Sequence, residues 1–216
     1  MCIRDRPDTL LGSAWPQMHI ELNASLSSAG IITMIISMGT VISSLFSDRL
    51  NIKLGTGKVT AISVLMTAVA LLGFSLSHSF IILCVLAVPY GLGAGAVDAA
   101  LNNYVALHYS SKHMSWLHCF WGVGASIGPY IIGTCMAHGL GWRGGYSVIS
   151  VIQFTLTAAL FITLPLWKKV ENSENNVSNE NNERTQEEPQ ERKAKSLSEV
   201  LHIKGVIYIL FAFFCY

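Results

Sequence analysis

The chain has 216 residues, of which 51% are hydrophobic and 12% charged, and its formal net charge is +1. A soluble domain carries roughly 25% charged residues, and here the apolar ones come in long blocks instead of short amphipathic stripes, which excludes a water-soluble globule and points to several bilayer crossings. The scattered basic residues lack an aromatic-interleaved patch, which excludes nucleic acid as a partner, and the five cysteines have neither the spacing of a disulfide framework nor that of a zinc site.

In chain order, residues 1–6 carry no apolar region of a signal peptide and read as a non-native leader. Residues 7–20 read as the tail of a span whose start is lost. Whole spans follow at about 26–46, 59–76, 80–107, 116–137 and 145–166, each able to cross ~30 Å of hydrocarbon at ~1.5 Å per residue. The run 59–97 holds no Lys, Arg, Asp or Glu and is too long for one crossing; Ser77-His78-Ser79 divides it in two. Residues 203–216 begin a seventh span and stop short of the ~20 residues that a crossing needs, so the sequence reads as a fragment truncated at both ends. The expected fold is all-α, a polytopic membrane helix bundle over 7–167.

Alternating the spans puts the 48–58 and 108–115 loops on one side with Arg49, Lys53, Lys58, Lys112, Lys168 and Lys169, and leaves only Arg143 on the other with Glu21. The positive-inside rule makes the first side cytoplasmic in a multi-pass protein of the cell membrane, plasma or inner. Residues 168–202 are rich in Asn, Glu, Gln and Lys and are expected to form a mobile cytoplasmic linker.

Asp98 carries most of the functional information, because it ends that uncharged run and lies well inside a span. A charge there costs ~2.5–3.5 kcal/mol on insertion scales, and such residues usually face a bundle interior or a water-filled path. On a helix Asp98 shares a face with Asn102, while His118 and Trp121 stand one turn apart at the start of the next span. Together they can form a polar, aromatic-walled pocket. The alternatives stay open: a structural hydrogen bond for Asp98, an interfacial position for His118, and simple packing for Trp121. Asp8 precedes an apolar helical stretch and is either a second intramembrane carboxylate, dividing proton and substrate binding with Asp98, or a local helix cap.

The glycine run from Gly91 to Gly95 has no preceding strand and the wrong spacing for a nucleotide loop. Gly91 with Gly95, and Gly124 with Gly128, instead make small-xxx-small faces for close helix approach. Pro89 and Pro129 lie inside helices that can bend. His108, His113 and His118 recur every five residues and do not share a helix face, so no metal site is expected.

The chain resembles the N-terminal half of a major facilitator superfamily transporter, and within that superfamily the fucose permease-like branch of proton symporters. Ser44-Leu45-Phe46-Ser47-Asp48-Arg49-Leu50-Asn51-Ile52-Lys53 is similar to the superfamily's cytoplasmic gate motif, with Asp48, Arg49 and Lys53 matching its charged positions. Asp8-Thr9-Leu10-Leu11, and the segment from Gly93 through Asp98 to Asn102, are similar to the two carboxylate-bearing segments of fucose permeases, and His118 and Trp121 fall at substrate-facing positions. Asp instead of Glu at 98, Asn103 instead of Pro, and His and Trp instead of amides at 118 and 121 are departures in the pocket, so fucose itself is not implied. The resemblance implies a protein of about twelve spans in two halves, with a C-terminal half beyond this sequence and substrate bound midway.

The expected function is secondary transport of a small polar solute such as a sugar, with the proton as coupling ion, the bilayer as surroundings and no cofactor. A drug antiporter of the same superfamily is the alternative, on a faint match of residues 122–133 to a fifth-span motif, and a non-transporting sensor or scaffold is a further one. An enzyme is not expected, because no nucleophile-base arrangement or phosphate loop is present.

Overall fold

The computed structural model describes residues 8–185, with side chains over 9–107 and 109–165. Of the described residues, 8–168 belong to one compact unit and 169–185 to another. Six helices follow one another: α1 (Asp8–Glu21), α2 (Ala29–Leu54, after a single 3-10 turn at Leu26–Ser28), α3 (Thr56–Leu76), α4 (Phe80–His108), α5 (Ser111–Ala137) and α6 (Gly141–Thr185). Among the described residues five stretches are long and apolar enough to cross a membrane: Leu26–Leu54, Thr56–Leu76, Phe80–Leu107, Ser111–Ala137 and Gly141–Pro165. Helices are the necessary answer for such sequences, since hydrocarbon offers the backbone no hydrogen-bond partner but itself. The chain is thus an all-α membrane helix bundle.

The helices outrun the apolar runs. The expected loop over 48–58 is reduced to Gly55, because Asp, Arg, Asn and Lys are at home in a helix that has left the lipid, and Gly55 is the first residue free to take φ +79° and end it. The expected loop over 108–115 shrinks likewise to Tyr109 and Ser110, and α5 begins at Ser111. The stretch 168–185, read as the start of a linker, continues α6 in its backbone, with no Pro or Gly to interrupt it. Residues 186–216, with the rest of that linker and the seventh span, and the leader 1–6 lie outside the described residues.

The glycine run of α4 explains the packing. A methyl group at Gly91 would sit 2.5 Å from the Ile36 carbonyl oxygen, and one at Gly95 2.5 Å from that of Thr40, both on α2. Gly93 points the other way, where a methyl would lie 2.7 Å from the Ser63 carbonyl oxygen of α3. Glycines two apart therefore let α4 wedge between α2 and α3, closer than any side chain would permit. α1 packs on α5. There Gly128 makes room for Leu10, whereas Gly124 faces open space, so the expected second small-residue face holds at one of its two positions. Hydrogen bonds tie α6 to α3: the Ser150 hydroxyl donates to the Ala68 carbonyl at 3.2 Å, and the Gln153 amide to the Thr67 hydroxyl at 3.0 Å.

The main core gathers one end of every helix: Leu11, Trp15 and Met18 of α1, Ile32 and Ile36 of α2, Leu71 and Phe74 of α3, Leu83 and Ala87 of α4, Ile132 of α5, Trp142 and Tyr146 of α6. Phe74 and Tyr146 meet edge to face at 5.7 Å. Toward the other end there is a small cluster of Val59, Ala96 and Ala100.

Candidate functional site

The α2–α4 seam positions the carboxylate. Gly91, Gly95, Asp98 and Asn102 follow at intervals of four, three and four, one stripe of α4, and its first two members lie against the α2 backbone. Asp98 is exposed, and Asn102 donates from its Nδ2 to Asp98 Oδ1 at 3.3 Å. That bond fixes the amide orientation, so Asn102 Oδ1 is buried without a partner among the described protein atoms; Ser47 Oγ and both amide atoms of Asn51 on α2 share that state. The register supports grouping them: 36 lies against 91 and 40 against 95, which carried seven residues on sets 47 level with 102. Asp98 is thus the outermost member of a polar strip that runs along the seam toward the Gly55 turn.

The other expected site residues are distributed as follows. Asp8 is the first residue of α1, and its side chain lies outside the described ones. His118 and Trp121 are exposed on α5, which packs on α1 more than on α4. Asp98 and Asn102 are hydrogen-bonded on α4, and His118 and Trp121 stand on α5, which touches both α1 and α4. Asp48, Arg49 and Lys53 are exposed on the last two turns of α2. Their motif is a helix end rather than a loop.

A polar knot at the opposite end was not foreseen. Arg143 Nη1 lies 2.7 Å from Glu21 Oε2, its Nη2 donates to the Ser77 carbonyl at 3.1 Å, and its own carbonyl accepts from the Ser75 hydroxyl at 2.9 Å. Trp142 Nε1 donates to the same Glu21 oxygen at 3.0 Å, and the Arg143 guanidinium lies 4.5 Å from the Trp142 ring centre. Cation–π stacking and a shared carboxylate thus join the ends of α1, α3 and α6. The signal was present: over 9–165, span alternation leaves Glu21 and Arg143 as the acid and the base of that side.

Set beside known proteins, residues 7–216 match the sequence profile of the Major Facilitator Superfamily. The "Uncharacterized transporter y4wD" of Sinorhizobium fredii (strain NBRC 101917 / NGR234) is 25% identical over 116 residues, which is 52% of this chain and 31% of that protein. The aligned part therefore spans less than a third of that relative. With the profile running over nearly the whole sequence and five membrane-length helices beneath it, the chain belongs to the Major Facilitator Superfamily.

Proposed function

We propose that the chain is the N-terminal part of a proton-coupled secondary transporter for a small polar solute, a sugar in its most specific form, working by alternating access in the cell membrane. Membership of the superfamily supports membrane transport, and the relative is itself described as a transporter. The observation that carries the finer reading is the Asp98–Asn102 pair inside α4. An exposed carboxylate in a membrane-spanning helix is costly unless it opens on a water-filled path, and an adjacent amide gives it a neutral hydrogen-bond partner in either protonation state. Asp8 on α1 supplies the partner carboxylate, and His118 and Trp121 line the solute side. Asp48, Arg49 and Lys53 close the basic end when the two halves of the transporter meet there.

The test is Asp98→Asn in the intact transporter, reconstituted in proteoliposomes loaded with a pH indicator and offered a panel of monosaccharides. Wild-type protein is expected to acidify the lumen with one or more of them and the variant to lose that signal while still reconstituting. Undiminished proton uptake by the variant would make Asp98 a structural residue.

A further inference from the structure

At the basic end of the bundle a cleft of about 290 Å³ opens between α2, α3 and α4. Its walls are apolar: Ile42, Phe46, Leu50 and Leu54 on α2, Ile62 and Met66 on α3. Several are also open to the outside, Phe46 to 52% and Ile62 to 44%. Residues 42–54 cover ~18 Å at ~1.5 Å per residue, so the α2 wall of the cleft runs along the helix for about that length. It ends where α2 turns into α3 at Gly55, between Lys53 and Lys58, both exposed, with Arg49 one turn back and Asp48 as the acid of that stretch. The first turn of α3 has no side-chain cap, so its free amides and the positive end of its dipole add to the same field.

We propose that this cleft holds one acyl chain of an anionic phospholipid, with the phosphate received by Lys53 and Lys58. An apolar trough between membrane-spanning helices, with exposed apolar walls, suits a hydrocarbon chain better than an aqueous solute. Its length suits a chain lying along the bilayer normal. The cations stand at one end, where a headgroup belongs, and long lysine side chains reach into the interface from a helix end. An anionic headgroup completes the charge there, and a zwitterionic one brings its own cation into the same place. The occupant is a lipid rather than free phosphate because the cleft, and not the lysine pair alone, supplies the contact area.

Native mass spectrometry of the detergent-solubilised protein tests this with phosphatidylglycerol, phosphatidylcholine of the same chains, and glycerol 3-phosphate. One phosphatidylglycerol is expected to stay bound in preference to phosphatidylcholine. Lys53→Gln and Lys58→Gln should each lower that preference about fivefold, the weight of one basic side chain beside an anionic lipid surface. Ile62→Trp, which narrows the mouth from an exposed position, should lower retention of both lipids. Equal retention of the two lipids, indifference to both lysine changes, indifference to Ile62→Trp, or displacement by glycerol 3-phosphate alone would each overturn the proposal.

Discussion

The two ends of the bundle are built on different plans. At the Glu21–Arg143 end every helix contributes to one core, large aromatics interlock, and an ion pair spans α1 and α6. At the Gly55 end the buried cluster is three small residues, Val59, Ala96 and Ala100, and the α2–α3–α4 groove stays open; buried polar atoms without a partner among the described protein atoms occur at both ends, on Ser47, Asn51 and Asn102 here and on Gln17 and Arg143 at the other. Lipid tails are as apolar as leucine, so burial alone gives little drive to helix association in a membrane; packing and hydrogen bonds decide it. The first end is thus finished by interlocked rings and an ion pair, and the second is left open.

The comparison is tested most strongly by removing one phenylalanine from each end. Phe74 is 3% exposed and touches the rings of Tyr90 and Tyr146, whereas Phe46 is 52% exposed beside the cleft. Phe74→Ala is expected to cost about 3 kcal/mol, mostly as lost packing around the cavity that it leaves, and Phe46→Ala less than about 1 kcal/mol. Thermal unfolding in one detergent reads both. Equal shifts would mean that the two ends carry similar weight.

Sequence made the spans legible and the helix ends illegible, for one reason. Hydropathy reports where the chain leaves the lipid, while a helix stops where the backbone can turn. The charged residues from Asp48 to Lys53 mark the first boundary and Gly55 the second. Within the site, the Asp98–Asn102 bond was readable because spacing along one helix fixes it. The grouping of Asp98 with His118 and Trp121 depends on which helix neighbours which, and α5 borders both α1 and α4. The glycines at 91 and 95 were read correctly as a packing face, but their partner, the α2 backbone at Ile36 and Thr40, is a fact of tertiary structure.

The ion pair gives a smaller effect with a finer signature. Arg143→Gln removes the bond to Glu21, the bond to the Ser77 carbonyl and the stacking on Trp142 together. Its side chain is 35% exposed, so water already shares the interaction, and the loss is expected to be about 1–2 kcal/mol. Arg143→Lys keeps the charge but cannot serve Glu21 and Ser77 from one planar fork, so it should recover about half of that loss. Added salt should narrow the gap between wild type and Arg143→Gln by screening the exposed pair. A salt-independent gap would remove the exposed charge pair from this account, and full rescue by lysine would remove the planar fork.

The smallest expected effect has the opposite sign. Both side-chain amide atoms of Asn51 are buried near the end of α2 with no hydrogen-bond partner among the described protein atoms. A buried amide left unmatched costs more than an apolar side chain of the same shape, so Asn51→Leu is expected to raise stability by about 1 kcal/mol, read as an increase in Tm. The same change should lower transport if the Gly55 end closes by handing that amide a partner, since leucine then removes a bond that exists only in the closed state. Stability gained with transport retained would assign Asn51 no part in closure. Stability lost would mean that the amide is already satisfied in the resting fold.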